Sequence, residues 1–311
     1  MPRDLHELSR LEDSLSYLYV DRAIVERDVN SIVVLRGQDR IPIPVSSLTV
    51  LMLGPGTNLT HAAMKVIADS GCLVIWCGEG AMRFYGYGMG ETRSAANLLR
   101  QAQCCMDEQK HLEVVRRMFG LRFPGFDLEE KTLQQMRGME GVRMRETYKL
   151  LARKYGMDWK GRSYKMDEWD ASDDLNKALS SANACLYGLC NAAIVSLGYS
   201  PGLGFIHTGK MMSFVYDIAD LYKVETTIPV AFEVAAQPRV EPIDREVRIR
   251  LRTVLRERSI LKRVAKDIAY LFDVAEIDDE NRMDAGELWD GEDQRICGGV
   301  NHGEKHDSVD T

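Results

Sequence analysis

Over the first third of the chain the apolar positions come in short blocks. SYLYVDR, AIVERD, SIVVLRG and RIPIPVSSLTVLML are rich in Val, Ile, Leu and Tyr, and Asp-Val-Asn and Gly-Gln-Asp separate them. Blocks of this length and composition between turn residues predict strands, and together a small β domain. The break at Leu53-Gly54-Pro55-Gly56-Thr57 ends the series. Thr57 or Asn58 can cap a helix over residues 59–70, with Gly71 as its stop. CLVIWCG predicts a buried strand, and Arg83-Phe84-Tyr85-Gly86-Tyr87 a last one. Gly86, Gly88 and Gly90 then mark a hinge or linker.

Beyond about residue 93 the period changes to that of helices, in AANLLRQAQCCMDEQKHLEVVRRMFGLRF and QQMRGMEGVRMRETYKLLARKYG. LNKALSSANACLYGLCNAAIVSLG is nearly all small or apolar and predicts a central buried helix. The helical pattern closes with DREVRIRLRTVLRERSILKRVAKDIAYLFD. The expected fold is α+β: an N-terminal β domain over 1–90 and a larger all-α catalytic domain over 91–274. Residues 275–311 lack apolar periodicity and are expected to be a disordered tail. Leu288, Trp289 and Ile296 are the apolar anchors with which that tail could dock as a flap.

Charge changes the picture only once it is partitioned. The formal net charge of the 311 residues is −7. Twelve acidic against three basic residues from Ala275 to Thr311 put −9 in the tail and leave the body at +2. The body can therefore carry a local basic face despite an acidic total. Seven cysteines with no C-x-x-C pair indicate neither a disulfide framework nor a zinc ribbon, and read as core thiols. No uncharged apolar run approaches the ~20 residues of a membrane span, and the charged start MPRDLHELSR is unlike a signal peptide. A soluble, cytoplasmic protein with no membrane partner is expected.

Candidate chemistry concentrates in GFIHTGKMMSFVYDIADLYK, residues 204–223. On a helix from about Met212, Phe214, Ile218 and Leu221 share one face, while Tyr216, Asp220 and Lys223 gather on the other with Asp217 beside them. His207 lies just upstream in a glycine-flanked loop able to fold back toward them. Two carboxylates and an imidazole suit a hard or borderline divalent ion; the plainer reading is a solvated helix face. Glu140 sits between Gly138 and Gly141 in a good helix. Each helical glycine costs ~1 kcal/mol, which suggests close approach of a neighbouring helix or a ligand. The alternative is a salt-bridged surface glutamate beside Arg137, Arg143 and Arg145. Arg116, Arg117 and Arg122 on one helix, and the loop with Trp159, Lys160, Arg162, Tyr164, Lys165 and Trp169, could contact phosphates and stack on unpaired bases. Those tryptophans could equally pin the loop to the core.

Read in order, RGMEGVRMRETYKLLARKYG, ANACLYG, GFIHTGK and SFVYDIADLYK closely resemble the CRISPR-associated spacer-acquisition integrase family, in the subtype found with type I-E systems. The resemblance implies an N-terminal β domain, a helical C-terminal domain and a divalent metal, Mg2+ or Mn2+, in the second. Carried over by motif, Glu140, His207 and Asp220 are the implied metal ligands. Asp217 is implied as a further catalytic acid, either a second ligand or a group that orients the others. Tyr187, Tyr216, Lys223, Arg245 and Arg248 are implied DNA contacts, beside Tyr164 and Trp169 from the aromatic loop. The implied partners are double-stranded DNA with 3' overhangs or frayed ends, CRISPR repeat DNA, a second copy in a homodimer, and a small ferredoxin-like CRISPR adaptation subunit. The implied reaction is metal-assisted transesterification joining the 3'-hydroxyls of short foreign DNA to repeat ends, with endonuclease activity when water replaces the hydroxyl. A non-catalytic DNA-end-binding scaffold is the competing reading.

Overall fold

The computed structural model describes residues 17–79, 83–88, 90, 94–159, 161, 174–238, 242–274, 288–289 and 295–296. Two four-stranded sheets form first. In one, β1 (Tyr17–Val20), β5 (Val50–Leu53) and β7 (Leu73–Cys77) run parallel, and β8 (Phe84–Gly88) closes the edge antiparallel to β7. In the other, β2 (Ile24–Asp28), β3 (Ser31–Arg36) and β4 (Asp39–Ile43) form an antiparallel meander, and the two-residue β6 (Asn58–Leu59) pairs parallel with β2. Helix α1 (His61–Asp69) is capped by Thr60, whose hydroxyl accepts from the Ala63 N–H, rather than by Thr57 or Asn58. Residues 58–59 are already held in a strand, which moves the helix start past them. Gly71 ends the helix with φ +67°, as its position implies.

All four residues of β5 are buried, and the strand period explains how. Leu51 and Leu53 join Val20, Val25, Ile32, Ala63 and Ile67 in one core, whereas Val50 and Met52 join Leu73, Ile75 and Cys77 against Ala192 and Val195 of the helical part. A parallel strand covered on both faces needs such an uninterrupted apolar run. The expected glycine hinge takes a different form. Gly86 and Gly88 are paired within β8, and a Cβ on Gly90 would fall 2.4 Å from the Ala68 carbonyl oxygen.

The helical part comprises α2 (Ala96–Met106), α3 (Glu108–Arg122), α4 (Leu133–Tyr155), α5 (Asp174–Ser196), α6 (Ser213–Ala219), α7 (Thr227–Ala236), α8 (Ile243–Glu257) and α9 (Ile260–Leu271). Helix α4 starts on a capping box between Thr132 and Gln135 and stops at Gly156 in the left-handed region. Helix α5 is the central one, packed by α6, α7, α8 and α9. It is the one helix among the described residues long and apolar enough to cross a membrane, and most of that stretch is buried inside the protein. Within the acidic segment, Leu288–Trp289 and Arg295–Ile296 pair as the antiparallel strands β9 and β10, and its other residues lie outside the described ones.

Cys72, Cys77, Cys185 and Cys190 are buried thiols, and Cys104 and Cys105 are half-buried. Burial pushes the Cys77 thiol up to about 11 and that of Cys185 to about 12 from an ordinary 9.0, and raises Cys190 as well. The folded state thus keeps its proton where the unfolded state loses it. This contribution to stability is full below about pH 9 and is lost as pH rises through about 11 to 12. The expected result is that native protein at about pH 8 leaves these three thiols unreactive toward a thiol reagent, and that the urea midpoint falls between about pH 9 and 11.

Candidate active site

Helix α6 has only seven residues, and Asp220 is its C-terminal cap. The continuous helix expected through Lys223 is therefore corrected: beyond Ala219 the chain coils through turns, with the Leu221 N–H donating to Ile218 O and the Tyr222 N–H to Ala219 O. Phe214 and Ile218 are buried as expected, but Tyr222 takes the core position assigned to Leu221. Its hydroxyl donates to Asp267 of α9 and ties the turn carrying Asp220 to that helix.

Asp217 does not share the outward face with Tyr216 and Asp220, because it is fully buried. Its carboxylate accepts hydrogen bonds from the N–H groups of Phe205 (2.6 Å), Ile206 (3.1 Å) and His207 (2.9 Å) and from His207 Nδ1 (2.7 Å). Buried main-chain N–H groups in an irregular loop must find acceptors somewhere, and here one carboxylate serves three of them. Both oxygens are committed to these bonds, and the side chain thereby orients the loop that carries His207.

The imidazole's orientation follows. A carboxylate only accepts, so Nδ1 of His207 is the donor in this contact and Nε2 is the ring nitrogen turned away from it. Nε2 lies 4.0 Å from Asp220 Oδ2. The other Asp220 oxygen contacts Lys223 Nζ at 2.5 Å. Burial opposes the Lys223 charge, but the Asp220 carboxylate and Tyr187 outweigh it and hold the ammonium above the ordinary lysine range. Tyr187 on α5 receives Lys223 Nζ over its ring at 4.9 Å, and Tyr216 stands edge-on to both Tyr187 (5.0 Å) and His207 (5.8 Å). His207, Asp217, Asp220, Lys223, Tyr187 and Tyr216 thus form one cluster.

Glu140 is less closely joined to it. One turn before it on α4, the Arg137 guanidinium donates to Ile206 O at 3.4 Å, which sets this helix beside the histidine loop. The Glu140 carboxylate itself bonds Arg143 at 3.3 Å. Among the described residues no three His, Cys, Asp or Glu side chains converge closely enough to form a metal group. An imidazole Nε2 facing a carboxylate is a donor pair that suits a divalent cation, and the Glu140 carboxylate, paired with Arg143, is a third donor of the same kind on α4. A Cβ on Gly138 or Gly141 would meet nothing within 4 Å among the described residues, so no neighbouring helix among them is what these glycines admit.

The other expected contacts separate. Arg248 pairs with Asp244 (2.5 Å) and Glu79 (3.5 Å), and Arg245 lies exposed on α8. Arg117 donates to Leu271 O, and the buried Arg122 to Asp217 O, so these two brace helices instead of facing outward. Trp159 stacks on Tyr148 at 4.5 Å and contacts Phe232, which is the pinning role. Tyr164 and Trp169 lie outside the described residues. Sequence reading passed over His111 on α3, whose Nε2 bonds Phe205 O at 2.9 Å. A lone histidine on a helix carried no signal of that contact.

Gly204 is where the loop demands glycine. A Cβ there would lie 2.2 Å from His207 O and 2.7 Å from Ser213 Cβ. Gly204→Ala should displace the loop that carries His207, lower Tm and cost roughly 100-fold in the activity of this site, because a shift of ~1 Å in the histidine is enough. Wild-type activity in a folded Gly204→Ala protein would contradict this placement.

Curated relatives that match this chain are CRISPR-associated endonucleases. The chain belongs to the Cas1 family: residues 16–123 and 127–267 match the family model described as CRISPR associated protein Cas1. A CRISPR-associated endonuclease Cas1 of Thermus thermophilus is 48% identical over 307 residues, covering 97% of this chain and 94% of the relative. The Escherichia coli Cas1 endonuclease is 45% identical over 76% of each chain. A solved TtCas1–DNA complex superposes with a TM-score of 0.78 at 50% identity, over 85% of this chain and 98% of that one.

Proposed function

We propose that this chain is a divalent-metal-dependent DNA endonuclease and integrase of CRISPR adaptation. The observation that carries the reading is the buried Asp217 that ties down His207 Nδ1 and leaves Nε2 facing Asp220. His207 and Asp220, with Glu140 from α4, would hold Mg2+ or Mn2+. When bound, the cation would polarise a phosphoryl oxygen and stabilise charge on the attacking or leaving oxygen.

The chain's own groups do the rest. Asp217 retains the proton on Nδ1, so the imidazole stays oriented while Nε2 binds. Lys223 balances the Asp220 charge and, with Tyr187 and Tyr216, offers a cation and two ring surfaces to a DNA strand. Arg245 and Arg248 would contact phosphates. A 3'-hydroxyl of a short duplex with overhanging or frayed ends attacks phosphorus at a CRISPR repeat end; one phosphodiester bond forms as another breaks, and the leaving 3'-oxygen takes up a proton. No ATP is needed. The TtCas1–DNA complex supports DNA as the substrate class. The working assembly is a homodimer acting with a small ferredoxin-like subunit.

One observation favours the scaffold reading: each carboxylate of the intended ligand set already has a cation, Lys223 on Asp220 and Arg143 on Glu140. Strand transfer decides between them. Purified protein and its small partner, given a labelled duplex and a supercoiled plasmid carrying the repeat, should join label to plasmid with Mg2+ or Mn2+ and not with EDTA. Tight DNA binding with no joined or cleaved product in either metal would establish the scaffold instead.

A further inference from the structure

Helix α2 is amphipathic the wrong way round. Ala95, Leu98, Leu99, Ala102 and Met106 fall within about 100° of one another on its axis, and Leu98, Leu99 and Met106 are 40%, 58% and 83% exposed. The inward side carries amides. Gln101 is the one fully buried residue of the helix. Its Nε2 donates to Ser200 O (3.0 Å) and Leu203 O (2.9 Å), and its Oε1 accepts from the Ser200 N–H (2.7 Å). One turn earlier, Asn97 Nδ2 donates to Leu197 O at 2.7 Å.

These bonds all end on the stretch that leads from α5 to His207. That stretch contains Gly198, Pro201, Gly202 and Gly204, so few of its main-chain groups are satisfied within it. Asp217 anchors its far end, at residues 205–207. Gln101 anchors its middle with three bonds from a rigid helix. The histidine is therefore held between two clamps, and slack in the first would reach the second through only one intervening residue, Gly204.

We propose that Gln101 is a positioning residue for the active site: it fixes the 200–203 backbone and thereby places the His207 imidazole. The inference rests on the metal-dependent reading above for its functional consequence, but not for the loop clamp itself. Gln101→Met keeps the volume and removes all three bonds. Gln101→Glu keeps an acceptor for the Ser200 N–H, loses both donors, and serves if the methionine variant does not fold.

The test uses the full chain. Hydrogen exchange of a peptide spanning residues 199–207 and Mn2+ affinity by calorimetry are measured for wild type, both Gln101 variants and Ile67→Ala, which destabilises the core beneath α1 away from the loop. The expected result for Gln101→Met is faster exchange over 199–207 and about tenfold weaker Mn2+ binding, with Ile67→Ala matching wild type in affinity. Unchanged exchange over 199–207 overturns the proposal, as does a loss of Mn2+ affinity no greater than that of Ile67→Ala. A wild-type chain that binds no Mn2+ would sink the metal reading, and exchange alone would then decide whether Gln101 holds the loop.

Discussion

His207→Ala should abolish metal-dependent joining and cleavage of DNA while leaving the fold in place. The imidazole is 43% exposed, and the substitution keeps the His207 main-chain N–H on Asp217, so little packing is lost. What disappears is the Nε2 donor facing Asp220. In the proposed mechanism several kcal/mol of transition-state stabilisation depend on a correctly held cation, which corresponds to roughly a thousandfold in rate. Asp220→Asn should do the same, and is a better choice than alanine because it leaves a partner for the half-buried Lys223 ammonium. Labelled duplex incubated with repeat plasmid and Mn2+ provides the measurement, with circular dichroism to show folded protein. Joining within tenfold of wild type by either variant would remove these residues from the ligand set.

Asp217→Ala carries the second large effect, and it combines stability with activity. Three loop N–H groups and one imidazole N–H lose their acceptor, a carboxylate that is itself fully buried. Unpaired buried donors cost about 1 to 3 kcal/mol each, although some of these will find solvent as the loop relaxes. A net loss of about 3 to 5 kcal/mol would lower Tm by roughly 10 °C in a body of this size. Asp217→Asn should be milder in Tm, because the amide oxygen still accepts on one side. It should nonetheless weaken Mn2+ binding 10- to 100-fold, roughly, since the imidazole loses the charge that orients it. Wild-type Mn2+ affinity in a folded Asp217→Asn protein would show that the histidine needs no such anchor.

These two variants probe different kinds of information. The strand blocks, the glycine stop at Gly71 and the apolar length of α5 were legible because each depends on local periodicity or on a backbone angle that glycine tolerates. The motif residues were legible too, and His207 and Asp220 do face each other. Where local reading failed, long-range contacts had intervened. A helix drawn through Lys223 put Asp217 on the outer face; the real helix ends at Ala219, and burial of Tyr222 against Asp267 directs the turn that follows. The arginines of α3 looked suited to phosphates, yet Arg117 and Arg122 satisfy carbonyls on α9 and α6.

By itself the sequence determined which residues could do chemistry, where strands give way to helices, and the family to which the chain belongs. It did so because periodicity, turn residues and ordered motifs are properties of neighbours along the chain. Only the tertiary structure decided what each polar group does. Asp217 became an anchor, Gln101 a clamp and Arg143 the partner of Glu140 once hydrogen-bond partners 10 to 102 residues away were brought within 3.5 Å, or, for Arg143, once one turn of α4 set it on Glu140. A buried polar side chain takes its role from the groups that satisfy it, and those groups are chosen by packing, which spacing along the chain does not record.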